Sequence, residues 1–242
     1  MLGIKFGNSL STNNKYYDNV YSLEFDGVDQ YINLNSAVGR INRPQGTISA
    51  WVSLDTTSSN MVIFRAQIDS ENLLNIFYHA FENKIHFTYK ANNVAVTAKI
   101  NVTDLEGDNK WHHVMVTYST DSNSISAFLD GANEATASIS NDLSSSAFVN
   151  VRIGENTAGG AFFNGKIANV ALFSTVRTVG SLYIANRQPI NVTGTTGLQG
   201  YWKLNEGSGT STVIDDSGYG NNGTMVNFDD GNWSTNVPYK AD

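Results

Sequence analysis

The chain has 242 residues, 40% apolar and 11% aromatic, enough for a substantial core and too many for a disordered polypeptide. Charged residues make up only 15% and the formal net charge is −7, which argues against a nucleic-acid surface, because phosphate contacts need clustered Lys and Arg. Zero Cys removes disulfides, thiolate metal sites and cysteine nucleophiles together.

No apolar run approaches the length of a membrane span, so no membrane insertion is expected. The first ten residues, MLGIKFGNSL, show no Sec-type signal peptide. A protein acting outside the cell would then leave by another route, such as release within a virus particle.

Strand-like runs begin at residues 21–25 and 30–34. In residues 46–54, Ile48, Ala50, Val52 and Leu54 face one way and Thr47, Ser49, Trp51 and Ser53 the other. Further runs cover 61–66, 72–79, 84–90 and 94–100. In residues 111–119, Val114, Val116 and Tyr118 alternate with His113, Met115 and Thr117. Residues 124–131 place Ile125, Ala127 and Leu129 on one face and close on an Asp130-Gly131 hairpin turn. Runs at 149–154, 165–173 and 197–204 complete the series. One short helix is expected at 178–187, N-capped by Thr178 and stopped by Pro189. Many short strands separated by turn residues predict an all-β sandwich or barrel in a single domain spanning 1–242.

One hairpin can be read in detail. A loop centred on Glu82-Asn83 sets His79 opposite His86 and puts Ile76, Tyr78, Ala80, Ile85, Phe87 and Tyr89 on one apolar face. A one-residue slip would scatter that face, so burial favours the register. The other face shows Phe77, His79, His86, Thr88 and Lys90 as an exposed aromatic and polar strip. Sugar recognition asks for an aromatic face beside amide and hydroxyl partners. These five residues, with Trp51 beside Ser49 on another strand, are therefore the candidate carbohydrate-binding residues. His79 and His86 share a face, but two His without a third ligand make a poor zinc site, and they are read as a surface pair. His112 and His113 point to opposite faces of one strand and cannot easily share a metal.

Five segments carry a family resemblance: YSLEFDGVDQYINL, GTISAWVSL, KWHHVMVTYSTDSNSISAFLDG, VRIGENTAGGAFFNGKIANVALF and GYWKLNEGSGTSTVIDDSGYGNNGT. Each resembles a block of the laminin-G-like, concanavalin A-like lectin/glucanase domains. The resemblance implies a two-sheet antiparallel β-sandwich, the jelly roll. The last block usually precedes the FDG block in that family, whereas here it follows. Residues 197–242 therefore read as circularly permuted, or as strands added to a neighbouring subunit. Where relatives often have G-x-I-D-E-V, this chain has Gly165-Lys166-Ile167-Ala168-Asn169-Val170, without the carboxylates that can support calcium. Chains with such a late block resemble structural proteins of marine bacteriophages. That implies a virion-surface or extracellular protein whose partners are host or cell-surface polysaccharide, other virion subunits, or further copies of itself.

Glu24, Asp26 and Asp29 form E-x-D-x-x-D, similar to the E-x-D-x-x-E of retaining glucanases of this fold. Retention needs two carboxyl groups about 5–5.5 Å apart across the sugar. Gly27 ends the strand after Asp26 and leaves Asp29 in a turn, so no catalytic residue is expected. The oxygen-rich loop of Asp215, Asp216, Ser217, Asn221 and Asn222 suits calcium, which takes six to eight oxygens. Calcium is the one candidate cofactor, with Asp26 and Asp216 its leading ligands. Trp233 and Tyr239 are candidate anchors at an assembly contact. The expectation is a non-enzymatic module that binds carbohydrate weakly and gains avidity from repeated copies. A purely structural assembly subunit is the alternative, and a glycoside hydrolase ranks after it.

Overall fold

The computed structural model describes residues 19–55, 58–102, 110–183 and 188–238. In chain order its strands are β1 (Ser22–Asp26), β2 (Tyr31–Asn33), β3 (Gln45–Leu54) and β4 (Met61–Gln67). Next come β5 (Leu73–His79), β6 (Lys84–Ala91), β7 (Val94–Asn101) and β8 (His112–Ser119). Then follow β9 (Ser124–Leu129), β10 (Ala132–Ser138), β11 (Asn150–Ile153) and β12 (Asn164–Phe173). The last are β13 (Leu198–Trp202), β14 (Thr212–Val213), β15 (Gly223–Val226) and β16 (Trp233–Ser234).

These strands form two antiparallel sheets packed as a sandwich, as the alternation predicts. The first runs β10-β9-β8-β3-β12-β1-β16, with β13 also paired to β12; the second runs β14-β15-β2-β11-β4-β5-β6-β7. Between them lies one apolar core. Ile48, Ala50, Val52, Val114, Val116 and Ile167 enter it from the first sheet, and Ile32, Leu74, Ile76, Ile85, Phe87 and Val151 from the second. Alternation is the physical cause, since every second side chain of a half-buried strand faces the partner layer.

Helical structure among the described residues is confined to 3-10 turns at Asn35–Arg40, Val179–Ser181 and Asp230–Asn232. The helix expected over 178–187 reduces to the second of these. Thr178 makes no side-chain capping bond there, and Gly180 occupies its centre. Residues 184–187 of that stretch lie outside the described residues.

The C-terminal strands insert into both sheets of their own chain. β13 lies on β12, β14 and β15 extend the second sheet beside β2, and β16 pairs with β1. β12 carries a bulge between Ala168 and Ala171, where Asn169 takes a positive φ of 51°. Its side chain donates to Asn19 at 2.6 Å and accepts the Tyr201 hydroxyl at 2.9 Å, so the bulge is pinned by hydrogen bonds.

Gly165 lies between β1 and β3 at φ 137°, where a Cβ would come within 2.2 Å of the Ser53 carbonyl oxygen. Gly165→Ala is expected to destabilise the fold by about 2 kcal/mol, from backbone strain plus separation of the central strands. The urea midpoint of the variant checks this; an unchanged midpoint counts against the tight packing.

Candidate functional site

The two outward faces of the sandwich differ. That of the first sheet is covered by its own chain. Met115, Phe173, Leu182, Ile190, Val192, Leu198 and Tyr201 form a second apolar cluster there, and Trp51, Trp111 and Ala168 form a third, with Tyr183 packed against it. Trp51 is 2% exposed, its ring 5.2 Å from His113 and 5.9 Å from Tyr183. The expectation of an accessible Trp51 is therefore corrected: Tyr183, on the connection after β12, packs over it beside Trp111 and Ala168, and no ring face is left for a sugar. Trp233, expected as an exposed assembly anchor, is corrected on other grounds: it is 9% exposed and part of the central core. Tyr239 lies outside the described residues.

The outward face of the second sheet carries a polar row that crosses seven strands. Directly paired positions run Thr224–Asn33–Arg152–Arg65–Asn75–Thr88–Thr97 from β15 to β7. Their sequence neighbours Met225, Ile32, Val151, Ala66, Leu74 and Phe87 point into the core, so the row faces away from it. Arg152 donates to the side-chain oxygens of Asn33 and Asn35 at 2.7 and 2.8 Å and lies over the Tyr31 ring. Arg65 donates to Gln67 Oε1 through Nε and Nη2, both at 3.2 Å, and burial holds its guanidinium below the usual pKa. Thr88 and Thr97 bond to each other at 3.0 Å. Asn75 is 9% exposed and its Oδ1 has no hydrogen-bond partner.

The hairpin strip lies on this same face, with Thr88 in the polar row itself and the Phe77–His86 pair in the next row. Phe77, His79, His86, Thr88 and Lys90 do share one face, as expected, but the register differs by two residues. Phe77 pairs with His86 and His79 with Lys84. The loop is Ala80 to Asn83, closed by Asn83 N–H donating to the Ala80 carbonyl, with Asn83 at φ 50°. A two-residue shift preserves which face each side chain takes. His79 and His86 become diagonal neighbours, with parallel rings whose centroids are 4.8 Å apart. His86 is corrected from exposed to buried, at 5% exposure, because Phe77 and His79 pack against its ring. Burial lowers its pKa, against the upward pull of Glu82. Lys90 donates to the Ser70 carbonyl at 2.8 Å.

Asp26 and Asp216 occupy separate settings. Asp26 Oδ1 accepts the Val28 N–H at 2.8 Å, the turn chemistry of an Asp before Gly. Asp216 pairs with Lys203 at 3.2 Å beside a cleft of about 250 Å³ that Glu206 and Asn205 also line. In that cleft burial raises the Glu206 pKa although the Ile214 and Asn205 N–H groups donate to its carboxylate. Neither Asp26 nor Asp216 joins two further acidic or imidazole side chains in a metal-sized cluster among the described residues. Glu24, from the glucanase-like motif, lies 3.5 Å from Lys166, which also holds Asp55 at 3.0 Å.

Arg65, Arg152, Asn75, Tyr31 and Glu82 were missed by sequence reasoning. The first four come from strands whose neighbours are set by sheet order, which no local pattern reveals. Glu82 had a signal, because it lies three residues after His79 in the same tight turn.

Such a sandwich, closed on one outward face and hydrogen-bonding on the other, is a lectin-like domain. Residues 26–182, more than half of the chain, match the family model of the concanavalin A-like lectin/glucanases superfamily, laminin G type, and the chain belongs to that family. No curated protein sequence matches it. Among solved structures it is similar to a putative carbohydrate binding protein from Bacteroides ovatus, at 17% identity and TM-score 0.61, over 86% of this chain and 58% of that one. It is also similar to domains LG4-5 of mouse laminin alpha1, at 17% identity and TM-score 0.51, over 64% of this chain and 41% of that one. A third is the CBM40 domain of Ruminococcus gnavus IT-sialidase bound to α2,3 sialyllactose, at 12% identity and TM-score 0.55, over 69% of this chain and all of that one (100%). The chain thus spans 58% and 41% of the first two proteins' lengths. At these identities the likeness is one of fold.

Proposed function

We propose that this chain is a non-enzymatic carbohydrate-recognition module that binds glycans along the outward face of its second sheet. One observation carries the reading: a seven-strand row of amide, hydroxyl and guanidinium groups, with a buried Asn75 Oδ1 left without a hydrogen bond. Buried polar atoms in native proteins are nearly always satisfied, so an unsatisfied one on an outward face suits a ligand that supplies the donor. Sugar hydroxyls are such donors, and Phe77 beside the row offers half-buried ring surface for a sugar's apolar face. The sialyllactose held by the Ruminococcus gnavus domain supports a glycan as the ligand class.

Individual contacts on a shallow face are weak, and avidity then comes from repeated copies. A virion surface would supply those copies, and the resemblance of the 200–224 block to phage structural proteins supports that setting. Detection of the chain in purified particles tests it. For the binding itself, tetramerised protein on arrays of neutral and acidic glycans is expected to give signal, reduced about tenfold by Phe77→Ala, the size of one aromatic contact. An array without signal would leave the alternative of a structural subunit.

A further inference from the structure

The turn between β5 and β6 brings together three metal-type donors that the glycan reading does not use as a set. One ligand atom each from His79, Glu82 and His86 lies within 4.8 Å of the other two. His86 Nε2 and Glu82 Oε2 are already 3.4 Å apart. Donors about 2.0–2.1 Å from a tetrahedral zinc are separated by roughly 3.3 Å, so this edge of the site is preformed.

The setting of His86 bears on the same edge. His86 is 95% buried, from its 5% exposure, and its Nε2 makes no hydrogen bond, although it faces the carboxylate. His79 Nδ1 accepts the Glu82 N–H at 3.2 Å, so its lone pair points into the turn. That long bond is one the ring can exchange for a cation. Meanwhile the Lys99 ammonium sits 2.9 and 2.8 Å from the two Glu82 oxygens. A cation is thus already held beside the carboxylate, on a side chain 43% exposed and able to swing away. The turn is braced: Asn60 accepts the Ala80 N–H at 2.9 Å, and the Tyr78 hydroxyl donates to Asn83 at 2.8 Å.

We propose that His79, Glu82 and His86 bind one late first-row divalent cation, zinc in the first instance. Two imidazoles and a carboxylate suit zinc and its neighbours and are a poor match for calcium or magnesium, which prefer all-oxygen shells. Three protein ligands leave a fourth position for water or an oxygen of a bound molecule. The site stands on these donors alone and does not depend on the glycan reading.

The test is calorimetric titration of the untagged full chain with ZnCl₂, with native mass spectrometry for stoichiometry and Co²⁺ substitution for the visible spectrum of a tetrahedral site. One zinc per chain is expected. Glu82→Gln and His79→Ala, both in the turn region and half-exposed, should each weaken binding at least tenfold. Lys99→Met should strengthen it several-fold by removing the competing ammonium. Substoichiometric binding, or affinity unchanged in Glu82→Gln and His79→Ala, overturns the site. Because the readout is metal affinity, a blank glycan array does not bear on it.

Discussion

Removing the chain from Gly197 onward is expected to abolish folding rather than trim an appendage. The deletion strips β13 from β12, β14 and β15 from the second sheet, and β16 from β1. It also empties the core of Leu198, Tyr201, Trp202, Leu204, Val213, Met225 and Trp233, all buried. At roughly 1.5–3 kcal/mol per buried apolar side chain, the loss is on the order of 10 kcal/mol or more. A whole domain is stable by only about 5–15 kcal/mol. Polar ties go as well: Asn205 Oδ1 accepts the Val20 and Tyr21 N–H groups at 2.7 and 2.6 Å, and Trp202 Nε1 donates to the Asn221 carbonyl at 2.9 Å. The truncated chain should lose its near-UV circular dichroism and its cooperative urea transition. A permutant carrying residues 197–238 ahead of residue 19, through a flexible linker, should keep both, because β16 already lies beside β1. A truncation that melts cooperatively would show that these strands are dispensable.

Much of this architecture is legible in the residues because burial enforces period two. β3, β8 and β12 announce themselves through Ile48-x-Ala50-x-Val52 and similar stripes. The same physics explains one success and one miss in the β5–β6 hairpin. Parity assigned Phe77, His79, His86, Thr88 and Lys90 to one face, while register depended on the turn, and Ala80 to Asn83 closed it one residue before the expected centre, which shifts the pairing by two. Trp51 was misplaced because its burial comes from a connection more than a hundred residues later, which leaves no periodic trace. β14 and β16 hold two residues each, too few to alternate. Asn169 looked like an absent calcium ligand beside Ala168; its structural role is to turn the bulge of β12.

The unequal outward faces also give the histidines different surroundings. On the open face, His86 meets a carboxylate and a neighbouring imidazole. On the covered face, His113 meets Trp51 and Tyr183, its Nδ1 has no hydrogen-bond partner, and it is 2% exposed. Burial pushes the His113 pKa down to about 4, only partly opposed by the negative charge of Asp130.

Acidification should therefore weaken the fold through His113, and the sign follows from proton counting. Between about pH 6.5, the ordinary value that the unfolded chain adopts, and about pH 4, the unfolded state holds a proton at this site that the folded state refuses. Stability then falls as pH falls across that window, is unaffected by this group above it, and levels off below it. A displacement from 6.5 to about 4 corresponds to roughly 3 kcal/mol. Other groups titrate nearby: burial raises the Glu206 pKa, whereas burial of Asp215 is outweighed by hydrogen bonds from Ser217, Tyr201 and Asn221, which lower it. The difference between wild type and His113→Phe isolates the histidine, since Phe keeps the ring in the cluster and carries no proton. Urea unfolding at pH 7, 5.5 and 4 should show the wild type losing about 3 kcal/mol more than the variant over that range. Parallel pH profiles for the two proteins would mean that His113 is protonated in the folded state, and that the cover over Trp51 is open to water.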